Sequence, residues 1–162
     1  MKVMNIEQNH KFIIRKAEPK DYGSIANMIN VGSASGAFSY KVTDAKKLKK
    51  YIEANVYQNY NIFVYENENG ILGYMDIFSS GNVGTILGIF VDEKYRKMGI
   101  GTDMLNLIIK KFEEYGCYKI VTEVYGDNYK SINFFTKNNF KIECRMSDME
   151  FHKDILVFTR YI

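Results

Sequence analysis

The segment Ile89-Phe90-Val91-Asp92-Glu93-Lys94-Tyr95-Arg96-Lys97-Met98-Gly99-Ile100-Gly101 runs from an apolar stretch, through a short polar turn, into a long amphipathic pattern. Where a strand feeds a helix in this way, the first helical turn presents N–H groups with no intrahelical partner, at the positive end of the helix dipole. Gly99 and Gly101, spaced Gly-x-Gly, let such amides approach an anion with no Cβ in the way. The chemistry this allows is a diphosphate cradle. Arg96, Lys97, Met98, Gly99, Ile100 and Gly101 would supply the N–H donors, with the hydroxyl of Thr102 beside them. A Gly-x-Gly pair also serves plain strand-to-helix packing, so on this segment alone both readings stand. Other nucleotide motifs are missing: no Gly-Lys-Ser/Thr follows, and Met104 stands where a dinucleotide fingerprint would carry its third glycine.

The surrounding pattern must position that turn. Phe12 to Arg15 reads as a short strand, and Pro19 suits a first helical position ahead of a stripe of Tyr22, Ile25, Met28 and Ile29. Gly32 to Ser39 reads as a small-residue loop, and Thr43-Asp44 as the cap of a second helix reaching about Val56. Ile62–Glu66 and Ile71–Phe78 form a hairpin across Asn67 to Gly70. Thr85–Val91 is apolar almost throughout, which predicts a central strand buried on both faces. Gly99–Tyr115 is the strongest helix, stopped by Gly116. Lys119–Tyr125 is a strand, Tyr129–Asn138 a short helix, and Phe140–Met146 and Ile155–Tyr161 are the last strands. Hairpins mixed with strand–helix crossovers imply an α/β (α+β) domain. Its mixed, mostly antiparallel central sheet of about seven strands is flanked by four helices, with residues 1–162 forming one domain.

Tyr95 to Gly101 resembles the acetyl-CoA signature of the GNAT superfamily of N-acetyltransferases, Arg/Gln-x-x-Gly-x-Gly/Ala, which follows a strand ending in Val-x-x-x-Tyr. Asn128-Tyr129-Lys130-Ser131-Ile132-Asn133-Phe134-Phe135-Thr136-Lys137-Asn138-Asn139-Phe140 resembles the second family signature, Asn-x-x-Ala-Ile-x-Leu-Tyr-x-Lys-x-Gly-Phe. The likeness covers about Ile62 to Arg145 well and the ends loosely. It implies a GNAT-like fold and acetyl-CoA as cosubstrate, with no metal. The implied site has the amides of Arg96 to Gly101, with Thr102, on the pyrophosphate. Backbone groups of Ile89 and Val91 would lie along the pantetheine arm, and Asn128 near the thioester. Read from its position alone, Asn128 is a helix N-cap, and both roles can hold together. Asn139 replaces the family's glycine, a mild change. Phe135 stands where the family has a tyrosine thought to protonate the leaving thiolate, and phenylalanine has no proton to give. Tyr125, Tyr129 and Tyr74 are candidate substitutes, each also readable as a core or wall residue.

Direct transfer needs a neutral amine. An amine with a pKa of about 10.4 costs roughly 4.6 kcal/mol to deprotonate at pH 7, whereas an α-amine near 7.8 costs about 1 kcal/mol. Glu123, on a strand face with Val121 and Tyr125, is the first candidate base; it can equally pair with a cation or face water. Protein N-terminal acetyltransferases of the family carry a carboxylate at the matching position. Asp76 is the second candidate, and His152 lies between the last two strands. The loops Gly32–Tyr40 and Ser147–Asp154 are expected to flank the acceptor, and acidic residues there favour a cationic amine. Glu150 to Ile155 bears a weak similarity to phosphinothricin-type acetyltransferases. The expected function is acetyl transfer from acetyl-CoA to a primary amine of a small molecule or peptide. The alternative is a non-catalytic acyl-CoA-binding module.

Other classes fit poorly. A net charge of +3 over 162 residues is too mild for a nucleic-acid binder, and Lys46, Lys47, Lys49 and Lys50 read as the wet face of an amphipathic helix. No run approaches the roughly 18 apolar residues of a membrane span. Met1 to His10 is polar, which reads as a cytoplasmic protein without a signal peptide. Cys117 and Cys144 make no metal spacing and read as reduced thiols. The aromatic content, 13 Tyr and 11 Phe, permits a homodimer without requiring one.

Overall fold

A computed structural model describes residues 12–37 and 44–162. Four strands meander antiparallel from one edge of the sheet: β1 (Ile13–Lys16), β2 (Gln58–Asn67), β3 (Gly70–Ser80) and β4 (Val83–Val91). The chain then crosses over through a helix to β5 (Lys119–Tyr125), which runs parallel to β4. The hairpin of β6 (Lys141–Glu150) and β7 (Lys153–Tyr161) completes the sheet, with β7 pairing antiparallel to β5 and β6 at the edge. The order is β1-β2-β3-β4-β5-β7-β6. This is the mixed, mostly antiparallel sheet expected from the sequence, with a single parallel junction at its centre.

Two helical layers cover it. α1 (Tyr22–Ala34) and α2 (Ala45–Glu53) pack on one face through Ile25, Met28, Ile29 and Leu48, against Ile62, Val64, Tyr74 and Phe90 of the sheet. α3 (Ile100–Glu114) and α4 (Tyr129–Lys137) cover the other. The stripe of α3 is the expected one: Ile100, Met104, Leu105, Ile108, Ile109 and Phe112 are all buried. Each such side chain contributes about 1.5–3 kcal/mol by leaving water, so the helix that carries the Gly-x-Gly turn is fixed along its whole length.

The β1 end is tied by a charged network. The Arg15 guanidinium donates to both oxygens of Glu66 on β2 (2.8 and 2.6 Å) and both of Asp21 (2.6 and 3.1 Å), where the chain enters α1. Asp21 also accepts from the amide of Glu18 at 2.7 Å. The Arg15 hydrogen bonds hold the Asp21 and Glu66 carboxyls below their ordinary range, against the opposing effect of burial.

Several local expectations are corrected. Pro19 opens a single 3-10 turn, Pro19–Asp21, and α1 follows it. Gly32 is a buried residue inside α1, not the start of a loop. Asp44 caps α2 by accepting from the Lys47 amide at 2.8 Å, but the helix ends at Glu53. β4 is buried on one face and only partly covered on the other. The expected loop Ser147–Asp154 is mostly strand: β6 and β7 extend to a tight turn at Phe151-His152, both with positive φ (51° and 57°). Residues Phe38 to Thr43, which include part of the expected first acceptor loop and Thr43 of the expected cap, lie outside the described residues, as do Met1 to Lys11. Among the described residues no helix is long and apolar enough to cross a membrane.

Candidate active site

The parallel junction between β4 and β5 lasts only four residue pairs, Val83↔Lys119 to Ile86↔Thr122. Beyond Ile86 and Thr122 the two strands part. The fork is held by Thr122, whose buried hydroxyl donates to the Ile86 carbonyl at 3.0 Å. On the other side of β4 the register jumps from Asp76↔Gly88 to Ile77↔Ile86, leaving Leu87 as an extra, bulged residue at the mouth of the fork. From Leu87 onward, β4 turns toward β5 an edge that no strand fills. The resulting cleft, about 220 Å³, is lined by Leu87, Gly88 and Ile89 of β4, Thr122 to Tyr125 of β5, Asn128, Ser131 and Phe135 of α4, and Ala37, Glu150 and Ile155.

The Gly-x-Gly turn stands at the end of β4. Gly99 is the N-cap of α3 with φ +86° and open space where a Cβ would go, so its requirement is conformational. The first helical hydrogen bond runs from the Asp103 amide to the Gly99 carbonyl at 3.0 Å. The amides of Ile100, Gly101 and Thr102 therefore project from the end of the helix, as at any helix N-terminus. Gly101 has a second reason for lacking a side chain: a Cβ would stand 3.1 Å from the Phe134 ring, where α4 crosses α3. Lys97 also has positive φ, 66°, so the turn coils tightly ahead of the helix. Glycine, open amides and the helix dipole fit a diphosphate.

Arg96 departs from expectation. Its amide donates to the Glu93 carbonyl, at a long 3.4 Å, and its Nε donates to the Val91 carbonyl at 2.9 Å. The guanidinium lies 5.5 Å over the Phe90 ring. Arg96 thus braces the turn from behind. The same contact engages the Val91 carbonyl, which leaves Ile89 as the expected β4 residue that lines the open edge. Met98 is exposed, and Ile100 is buried at the top of the α3 stripe.

Asn128 is the N-cap of α4, accepting from the Ser131 amide at 3.2 Å, and it also lines the cleft. Its two roles read from sequence are compatible in space. Phe135 is 2% exposed, edge-on to Phe134 and Phe140, and forms part of the cleft floor. Of the three candidate hydroxyls, Tyr74 is fully buried in the opposite core and Tyr129 faces water, whereas Tyr125 lines the cleft. Glu123 is exposed and lines the cleft one residue beyond the fork. Asp76 is buried on β3 opposite Gly88 and is not among the lining residues. His152 sits on the hairpin turn with its Nδ1 3.0 Å from Asp148 Oδ1.

Sequence reasoning missed two features. One is the Thr122 clamp, whose only signal was a threonine in an apolar strand. The other is the contact of Glu150, an acidic residue of the expected second acceptor loop: its Oε2 accepts from the Tyr125 hydroxyl at 2.8 Å, which depends on β6 and β7 extending past their apolar cores. Among the described residues no group of three His, Cys, Asp or Glu side chains is placed to hold a metal.

Comparison with known proteins agrees with this architecture. No curated protein matches the chain. Ard1 from Thermoplasma volcanium superposes with a TM-score of 0.76 at 23% identity, over 93% of this chain and 97% of that one. The structure of yncA from Salmonella typhimurium, with its cofactor acetyl-CoA, gives 0.79 at 21%, over 93% and 94%. An N-acetyltransferase from Staphylococcus aureus Mu50 gives 0.81 at 21%, over 93% and 98%. At such identities the likeness establishes the fold. Sequence adds the rest: the profile of the acetyltransferase (GNAT) family matches residues 33–140, a span containing the fork, the Gly-x-Gly turn and α4. The chain belongs to the acetyltransferase (GNAT) family.

Proposed function

We propose that the protein is an N-acetyltransferase that moves an acetyl group from acetyl-CoA to a primary amine by direct transfer, using one domain. The observation that carries this reading is the fork. A strand edge left open beyond Ile86 and Thr122 leads straight to a helix end whose first amides are free to meet an anion. Acetyl-CoA supplies the acyl group as a thioester. Lys97 to Thr102 hold its diphosphate by backbone N–H groups, and Thr102 adds a hydroxyl. The β4 edge at Ile89 lies along the pantetheine arm, and Asn128 and Phe135 bound its inner end. Glu123 accepts the proton that the attacking ammonium must lose, directly or through water.

A second reading, a non-catalytic acyl-CoA-binding module, is favoured by one residue. Phe135 stands where the family signature has tyrosine, and it is sealed among Phe134, Phe140 and Phe158. Two measurements separate the readings. An acetyltransferase releases CoA thiol faster when an amine panel is added, and Glu123→Gln lowers kcat about 100-fold with little change in the KM for acetyl-CoA. Tight CoA binding with no amine-dependent thiol release would leave the binding module standing instead.

A further inference from the structure

The acceptor's chemistry is written in the charges of the cleft. The cleft is a site on independent grounds, through the fork, the bulge and the adjoining helix end; the question is what enters it. Its charged lining among the described residues consists of Glu123 and Glu150. Beside lining residues in the chain stand Asp127 and Asp154, with Lys130 and Lys153 as the neighbouring cations. The chain as a whole has the opposite sign, +3. Lys153 and Arg145, on the β6–β7 hairpin, are engaged. Lys153 Nζ is 2.8 Å from Asp127 and 5.1 Å from the centre of the Tyr125 ring, and Arg145 donates to Asp154. An exposed carboxylate in such a field attracts cations and repels anions.

The two lining carboxylates are staggered along the cleft. Glu123 follows directly on Thr122 at the fork. Glu150 pairs with Lys153 at the far end of the β6–β7 hairpin and is fixed by the Tyr125 hydroxyl at 2.8 Å. Glu123 and Tyr125 share a strand face, with Cα atoms about 6.8 Å apart by the strand repeat. The cleft thus offers two anionic points, Glu123 beside the fork and Glu150, held by the Tyr125 hydroxyl, toward the hairpin tip. A ligand matched to both is elongated and carries a positive charge at two nitrogens.

We infer that the acceptor is an alkyl di- or polyamine. The inference rests on the acetyltransferase reading above. One ammonium sits on Glu150. The other passes its proton to Glu123, and its freed lone pair forms the C–N bond to the thioester carbonyl carbon. The C–S bond breaks, and the sulfur leaves with the bonding pair as a thiolate, which takes up, through water, the second proton that the new amide nitrogen sheds. An α-amino acid would bring its carboxylate into the field of Glu123 and Glu150.

The test is steady-state thiol release with acetyl-CoA and 1,4-diaminobutane or spermidine, compared with n-butylamine, α-amino acids and a peptide with a free N-terminus. The polyamines should have the highest kcat/KM, by about tenfold over n-butylamine. Glu150→Gln, which keeps an acceptor for the Tyr125 hydroxyl, should raise the KM for 1,4-diaminobutane about five- to tenfold. The KM for n-butylamine, which has no second ammonium, should move by less, so the ratio of the two KM values rises. A structural role for Glu150 would instead move both amines together, and that overturns the inference, as does a preference for amino acids or the peptide. If no amine is turned over, the acetyltransferase reading itself fails. Turnover without polyamine preference removes only the inference.

Discussion

Replacing Gly99 with alanine tests the cradle most directly. Gly99 holds φ +86° at the N-cap of α3, with nothing within 4 Å of a built Cβ. Sterics against neighbours are therefore absent, and the whole penalty is conformational, about 1–2 kcal/mol for an L residue held left-handed. The chain can bear that strain, lowering the melting temperature by about 2–8 °C at this length. Otherwise it can relax by turning the first residues of α3, and then the amides of Ile100, Gly101 and Thr102 no longer converge. A charge-assisted hydrogen bond contributes about 1.5–3 kcal/mol, so misdirecting one weakens diphosphate binding about 10- to 100-fold. The assay is calorimetric titration with CoA, set beside turnover of acetylated pantetheine, which has the arm but no diphosphate. Gly99→Ala should lose CoA affinity at least tenfold while kcat/KM on the truncated donor stays within about twofold of wild type. Gly101→Ala makes the contrast: its Cβ would press on the Phe134 ring at 3.1 Å, so about 1 kcal/mol of stability is lost through packing. Wild-type CoA affinity in Gly99→Ala, or equal losses with both donors, would refute the cradle.

Three further outcomes follow from the packing. Asp21→Asn breaks a nearly buried partnership with Arg15 and should cost about 2–3 kcal/mol in denaturant unfolding. Because Arg15 lowers the Asp21 and Glu66 carboxyls in the folded state, their stabilisation is present above the ordinary carboxylate range and is lost as pH falls through the lowered folded values. Melting temperature in wild type should therefore drop below about pH 4, and less steeply in Asp21→Asn; parallel acid profiles would contradict this. Thr122→Val leaves the Ile86 carbonyl without its buried donor and should cost about 1–2 kcal/mol, read by chemical denaturation. Phe151→Asn combined with His152→Gly supplies the residues that a two-residue turn with two positive φ angles prefers, and should stabilise by about 1 kcal/mol. A lower melting point would show that the exposed Phe151 ring has a packing role.

The fold was readable where periodicity is local. The α3 stripe repeats at helical spacing with glycine at both ends, and the β2–β3 hairpin has its turn between alternating strands, so both elements appear where expected. Boundaries failed where tertiary pairing decides them. Residues Gln58 to Asn61 and Ser147 to Glu150 are too polar to announce strands. They are held in the sheet at single points, Gln58 and Asn61 on β3 and Glu150 on β7, across register breaks that no sequence pattern announces. β4 misled differently: its apolar run looked doubly buried, yet beyond Ile86 one edge and one face belong to the cleft, so the hydrophobic residues there line a site.

The candidate site divides along the same physical line. Its cofactor half is carried by contiguous residues, Ile89 to Thr102, so spacing alone could find it. Even there, the contacts of Arg96 were not legible: its guanidinium reaches back to Val91 and Phe90 across a turn that sequence cannot bend. The acceptor half is assembled from β5, the end of α1 and the tip of the β6–β7 hairpin, segments that meet only through the sheet order β5-β7-β6. Glu123 could be singled out because it interrupts an apolar strand. Glu150 could be placed only in an acidic loop, because nothing in the sequence fixes the register that sets it against the Tyr125 hydroxyl. A one-residue slip in β6 would turn Glu150 to the opposite face of the sheet and remove that contact. The placement of Glu150 in the cleft is therefore stored in strand register, which becomes visible only once the hairpin is built.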